Sequence, residues 1–297
     1  MILVTGATGN IGKELIPLLF ESGQSIRVLV RDERKVSHLD PRIERAVGDL
    51  DEPDTLQAAL RGVDRIFLVT YKTHQDINVL EPAKQASVNP VVKLSTLEAS
   101  RSYLLVGRWH REREELIEAS GLEWTFLRPG MFMSNSIQWW ADTIKAQGKV
   151  YFPGGKGQVA PVAPRDVAAV AAVALTQSEH AGKIYELTGP ELLTIDDMAQ
   201  IIGNVIGRQV RYVNVPMFAA RLQMLMSGMD RTLVKALMQV ASELRNNKGA
   251  VLTETVERVT KHPAQTFEAW CREHASAFQP RQSEISASVD TYTSLSR

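Results

Sequence analysis

The sequence has a single cysteine, Cys271, among 297 residues. It can form no internal disulfide, and a zinc site built from several thiolates is excluded. No metal is expected. Charge of either sign is also lacking in excess, because Lys+Arg and Asp+Glu balance at 34 each. A balanced chain sets up no long-range field to gather nucleic acid or an anionic membrane, so neither is expected as a partner. No apolar run approaches the roughly 20 residues that span a bilayer. The opening Met1-Ile2-Leu3-Val4 has neither the basic head nor the small-residue cleavage site of a secretory signal, which makes the cytoplasm the default location. No internal repeat is visible.

What is present is an alternation of short β-branched runs with longer helical segments. The strand candidates are Met1–Thr5, Ile26–Val30, Ile43–Val47, Arg65–Val69, Val91–Ser95 and Trp124–Leu127. Most are continuous apolar runs, as parallel strands covered on both faces require. Leu15, Leu18 and Leu19, and again Leu56, Leu60 and Val63, form apolar stripes at helical spacing. This order predicts an α/β fold, a Rossmann-type doubly wound parallel sheet with right-handed crossovers. After Arg128-Pro129-Gly130 the alternation loosens. Helices are expected over Ser134–Ala146 and Asp166–Leu175, strands over Val150–Phe152 and Lys183–Leu187, and a helix capped by Thr194 beyond. Arg165-Asp166 is expected to cap and anchor its helix. Residues 1–129 read as the dinucleotide-binding core and 130–278 as a smaller, mostly helical substrate-side lobe, some of it returning to the core. No Pro/Gly/Ser-rich linker separates them. Residues 279–297 are rich in Ser and Thr and poor in large apolar side chains, a composition that predicts disorder.

The first strand runs into Gly6-Ala7-Thr8-Gly9-Asn10-Ile11-Gly12, which opens an amphipathic helix. Gly-x-x-Gly-x-x-Gly alone is a weak pattern, but between strand and helix it marks a dinucleotide site. Gly6 permits the tight turn, Gly9 lets the pyrophosphate approach the backbone, and Gly12 lets helix and strand pack closely. The helix N-terminus offers N–H groups and a positive dipole to the phosphates. An acidic residue at the end of the second strand would bond a ribose 2′-hydroxyl. Here Arg31 stands there, with Arg34 and Lys35 behind it. A guanidinium suits a 2′-phosphate, so NADP(H) is favoured over NAD(H). Asp32 is the complication, since it could face inward and serve the hydroxyl. In Gly48-Asp49-Leu50, Asp49 could accept from the adenine amine while Leu50 packs on the ring; alternatively Asp49 caps the next helix. Val69, Thr70 and Ser95 end later strands on the carboxyl side of the sheet and are expected to line the ribose and nicotinamide.

With these pieces placed, residues 1–278 resemble the NmrA-like family of atypical short-chain dehydrogenases/reductases. The resemblance rests on ILVTGATGNIG at 2–12, LVRD at 29–32, GDL at 48–50, ASGLEWTFLRPGMFMSN at 119–135, VAPRDVAAVAAVAL at 162–175 and HPAQTFEAWCREHASAF at 262–278. Within the family the chain looks most like bacterial NAD(P)H-dependent reductases of quinones, azo compounds or triphenylmethane dyes. That similarity implies a hydride donor and a planar conjugated small-molecule acceptor. The resemblance departs at one place. The tyrosine and lysine of the Tyr-x-x-x-Lys pair carried by many short-chain dehydrogenases fall on Val106 and His110. Without that acid–base pair, alcohol oxidation and sugar epimerisation are disfavoured, whereas a quinone or azo group can draw its proton from solvent or a weak donor. His110, expected near the start of a helix over Trp109–Ala119, is the candidate catalytic residue, as a ribose ligand or a proton donor titrating near neutrality. Tyr71, His74 and Tyr103 lie on nearby strand-end loops without a spaced partner. Met131, Phe132, Trp139 and Trp140 could wall the acceptor pocket, and the Met-rich stretch Met217–Met238 could form a lid or a helix interface. An NADP(H)-sensing regulator that binds a protein partner is the alternative function, and a nucleotide-sugar epimerase a more distant one. Monomer and homodimer are both compatible with the sequence.

Overall fold

The computed structural model describes residues 1–279; the expected disordered tail therefore lies outside the described residues except for Gln279. Six strands fall where the apolar runs predict them: β1 (Ile2–Val4), β2 (Ile26–Val30), β3 (Glu44–Val47), β4 (Arg65–Leu68), β5 (Val91–Leu94) and β6 (Trp124–Pro129). Two short strands follow, β7 (Lys149–Phe152) and β8 (Gln158–Val159), and then β9 (Lys183–Leu187). The main sheet is seven-stranded with order β3-β2-β1-β4-β5-β6-β9. Every pairing in it is parallel. The order reverses between β1 and β4, so the ligand crevice of such a sheet opens at the carboxyl ends of these two strands. Thr5 locks that point. Its hydroxyl donates to the Phe67 carbonyl at 3.1 Å and accepts from the Val69 N–H at 2.7 Å.

On one face of the sheet, α1 (Asn10–Glu21) packs against α6 (Pro164–Thr176). Ile11, Leu15, Ile16 and Leu19 meet Val167, Val170, Ala171 and Ala174 in one fully buried cluster. The small residues of α6 let it lie close to the strands. On the other face lie α2 (Leu56–Leu60), α3 (Thr73–Gln85) and α4 (Leu105–Ala119), over a core that includes Leu3, Ile66, Leu68, Val91 and Phe126.

The remaining helices are α5 (Asn135–Gln147), α7 (Ile195–Ile206), α8 (Met217–Met226), α9 (Arg231–Arg245), α10 (Thr255–Thr260) and α11 (Phe267–Glu273). Of these, α5, α7, α9 and α11 surround a second core with Trp140, Ile144, Ile202, Leu244 and Trp270, in which Cys271 is also buried. Burial pushes its thiol pKa upward. Thr194 caps α7 in a reciprocal box with Asp197. Asp166 does not cap α6; its buried carboxylate accepts the Gln265 N–H at 2.8 Å and ties the C-terminal segment to that helix. No described helix is long and apolar enough to cross a membrane.

Candidate active site

The glycine loop lies at the end of β1 with Gly6, Thr8, Gly9 and Asn10 exposed along its crest. Gly6 has φ +67°, a left-handed conformation that glycine adopts freely. Gly12 is required by proximity, but against the loop rather than the strand. A Cβ built there would stand 2.3 Å from the Gly6 carbonyl oxygen and 2.8 Å from the Ala7 Cα. The side chain of Ile11 is buried in the core, so this residue can face a ligand only through its backbone. The N-terminus of α1 has no side-chain cap and no acidic residue in its first turn. Its N–H groups and dipole are thus available to an anion, and the cradle fits a dinucleotide pyrophosphate. Across the crevice, Asn10 Nδ2 donates to Ser134 Oγ at 3.1 Å, joining the loop to the residue before α5.

At the ends of β2 and β3, Asp32 does not face inward. Its carboxylate accepts from the Arg34 backbone at 3.1 Å and from Nε and Nη2 of the same residue, both at 2.9 Å. These bonds hold the Asp32 carboxyl below its usual range. Arg34 is spent on Asp32, whereas Arg31 is three-quarters exposed with its nearest acid, Asp49, 4.0 Å away. Lys35 is exposed beside them. Asp49 caps its own turn, accepting the Asp51 N–H at 3.0 Å, and Leu50 is half-buried with its carbonyl bonded by Asn78. Asp51, which no local pattern singles out, gathers Lys72, His74 and Gln75 at 3.2, 2.6 and 2.9 Å. His74 is therefore committed to a loop clasp.

The crevice at the ends of β4 and β5 rests on a network invisible in the sequence. Lys93, in the middle of β5, is 1% exposed and forms an ion pair with the fully buried Asp76 of α3 at 3.1 Å. The Thr70 hydroxyl donates to Asp76 Oδ2 at 2.7 Å and accepts from Lys93 Nζ. The Thr70 carbonyl accepts from Arg113 of α4 at 3.1 Å. Burial pushes the Lys93 pKa down to about 8, so it remains cationic at neutral pH. Arg113, 4% exposed, bonds only the carbonyls of Thr70 and Trp109 and has no carboxylate within ion-pair distance among the described residues. Alongside it, Ser95 donates to Glu114 at 2.6 Å, and Arg128 and Arg111 pair with the same carboxylate. The hydroxyls of Thr70 and Ser95 are thus both engaged inward.

His110 occupies the second turn of α4, because that helix starts at Leu105, four residues before the expected Trp109. The early start depends on Gly107, whose absent Cβ would lie 2.1 Å from the Glu98 carbonyl oxygen. His110 Nδ1 is buried and unpartnered. Burial, then the Arg113 and Lys93 charges, push its pKa down to about 3. That shift favours the neutral imidazole, a hydrogen-bonding group, over the imidazolium. Tyr103 donates to Glu243 at 2.6 Å and Tyr71 is exposed.

Beyond β6, Met131 and Phe132 are half-buried. Trp139 is 47% exposed and stacks on Phe152 with centroids 5.5 Å apart. Trp140 is wholly buried in the second core, edge-on to Phe152, with its indole nitrogen unpartnered.

The family described as NAD(P)H-binding matches residues 6–178, more than half of the chain. An NAD(P)H azoreductase from Xenophilus azovorans is 38% identical over 94% of this chain and 99% of its own length. A (4-alkanoyl-5-oxo-2,5-dihydrofuran-3-yl)methyl phosphate reductase from Streptomyces griseus is also 38% identical, over 94% and 100%. Among solved structures, the NADPH-dependent quinone oxidoreductase QOR2 of Escherichia coli, crystallised with NADPH, superposes with a TM-score of 0.81 at 28% identity, covering 92% of this chain and 99% of that one. The chain belongs to the NAD(P)H-binding family and is an NAD(P)H-dependent oxidoreductase of the NmrA-like, atypical short-chain dehydrogenase/reductase type.

Proposed function

We propose that the chain uses NADPH to reduce a planar conjugated acceptor such as a quinone or an azo compound. The observation that carries this reading is the buried guanidinium of Arg113, which has carbonyl partners but no carboxylate among the described residues. Asp76, Glu112 and Glu114 act on it only through space, none within ion-pair distance, and a buried cation paired so loosely favours negative charge nearby. When bound, the reduced nicotinamide supplies hydride, and a quinone or azo group that receives it becomes an anion. Lys93 and Arg113 both bond the Thr70 turn, and Arg113, which no carboxylate pairs directly, lends that anion a positive field. Neutral His110 orients the acceptor or the ribose by hydrogen bonding, and Met131, Phe132 and Trp139 form the apolar wall, with Trp140 backing it. The proton comes from solvent, since no tyrosine–lysine pair stands there. NADPH oxidation is expected with a panel of naphthoquinones and azo dyes. A protein that binds NADPH yet turns over no acceptor in a broad panel sinks the reading.

Two further outcomes follow from the same residues. Arg31→Ala is expected to weaken NADPH about tenfold, the value of one exposed charge-assisted bond, and to leave NADH affinity nearly unchanged. Calorimetric titration of both cofactors checks it, and an equal loss for both removes Arg31 from the phosphate site. His110, with its folded pKa of about 3, should impart no inflexion to kcat between pH 5 and pH 7.5. In the unfolded chain it titrates near 6.5, so between these pKa values the unfolded state binds the extra proton. Stability therefore falls as pH drops below 6.5, and His110→Gln should blunt that acid sensitivity in denaturation profiles.

A further inference from the structure

Helix α8 turns an apolar stripe to solvent. Phe218, Leu222 and Met226 recur every fourth residue and so stand one turn apart on one face. They are 76%, 55% and 79% exposed. Ala220, the one buried residue of α8, lies on the far side. The helix packs chiefly against α9, whose Leu233 is also exposed. A row of large apolar side chains left bare in this way marks a surface that something covers. Cations border the stripe. Arg221, Arg231 and Lys235, all exposed, line one groove between the two helices, and no acidic side chain lines it with them. The charge balance of the whole chain is not repeated here, since Met217–Arg245 carries four cations and two acids. Both acids are engaged, Asp230 in capping α9 through the Thr232 and Leu233 N–H groups and Glu243 with Tyr103 and Lys248. A second copy of the chain fits this surface poorly, because a twofold contact would set the same cations against each other with no free acid to answer them. An anionic lipid surface answers both features, its acyl chains taking up the stripe and its headgroups the cations.

We infer that the α8–α9 hairpin docks the protein on an anionic bilayer, Phe218, Leu222 and Met226 entering the headgroup–acyl boundary while Arg221, Arg231 and Lys235 meet lipid phosphates. The hairpin is fixed to the body, because Gln239 of α9 accepts the Leu105 N–H at 3.0 Å and Glu243 accepts the Tyr103 hydroxyl at 2.6 Å. Docking therefore holds the whole molecule in one orientation. The test is flotation of the full chain with phosphatidylcholine vesicles, with and without phosphatidylglycerol. It needs neither cofactor nor acceptor and so stands apart from the reductase reading. Binding is expected to vesicles that contain phosphatidylglycerol, should weaken as salt is raised, and should be slight without that lipid. R231Q/K235Q should weaken it about 25-fold, at about fivefold for each charge near the surface. F218S/M226S should weaken it about 100-fold through lost apolar burial. I77S/L252S, which changes two exposed apolar residues outside the hairpin, should leave it unchanged. No binding to phosphatidylglycerol vesicles overturns the assignment, and so do equal losses in F218S/M226S and I77S/L252S. A dimer in solution that F218S/M226S dissolves, seen by light scattering, would give the stripe to a second copy and overturn it as well.

Discussion

Lys93→Met is expected to lower the unfolding free energy by about 3–5 kcal/mol, the usual cost of stranding one member of a buried ion pair. Lys93 is 1% exposed and Asp76 fully buried, with 3.1 Å between their charged atoms. Methionine fills similar volume and contributes no charge, so the loss falls on the carboxylate left behind. Asp76→Asn keeps an acceptor for the Thr70 hydroxyl but strands the ammonium, and alone it should cost a comparable amount. The double variant K93M/D76N removes both charges and should recover most of either loss. Urea denaturation of the four proteins measures this cycle. Losses that simply add would mean that the two groups do not act as a pair. The kinetic counterpart is a fall in kcat at unchanged NADPH affinity, measured on K93M/D76N, where the fold is least disturbed. Unchanged kcat there would make the network a purely structural element.

Gly12→Ala carries the second large effect. Its new methyl group would lie 2.3 Å from the Gly6 carbonyl oxygen and 2.8 Å from the Ala7 Cα. Both are backbone atoms of the loop that would cradle the pyrophosphate, so neither can swing aside as a flexible side chain does. Either α1 retreats or the loop opens, and a displacement of about 1 Å in a positioned site can cost on the order of 100-fold. NADPH affinity should fall by about that factor, with about 1–3 kcal/mol of stability lost to overpacking. Gly23→Ala makes the matching control. Its φ of +76° strains any side chain, but nothing lies within 4 Å of the added methyl. It should cost stability of about 1 kcal/mol and leave cofactor affinity intact. Equal affinity losses in the two variants would show that Gly12 acts through stability alone.

The sheet was legible because its strands are buried on both faces and must be apolar throughout, as Val28, Phe67 and Val92 illustrate. The glycine loop was legible because its residues are consecutive. What the sequence concealed are the contacts between residues far apart along the chain. Lys93 interrupts an apolar strand, and the carboxylate that makes its burial tolerable lies on α3, seventeen positions earlier, with no local pattern joining them. Gly107 hid the true start of α4, because glycine disfavours helix and its close approach to Glu98 is a tertiary event. Trp139 and Trp140 are adjacent on α5, so their side chains diverge by about 100°, and only one enters the second core. Sequence spacing cannot say which. Asp32 was ambiguous for the opposite reason: its partner, Arg34, is so near that either an inward or a self-capped carboxylate fits the same letters.

The pairing of α1 with α6 has a consequence for how the protein can be made. The helix that carries the glycine loop is clothed by a segment more than 140 residues downstream, and the sheet is completed by β9, whose pairing with β6 ends at Leu187. The first 129 residues, although they hold every strand that touches the loop, would emerge from the ribosome with the apolar face of α1 still bare. Long-range closure of this kind is slow and leaves sticky surface exposed in the meantime. Dinucleotide available during synthesis would then favour the completed chain over its aggregates, and a fragment cut after Pro129 should be captured by chaperones rather than behave as a free-standing cofactor-binding module.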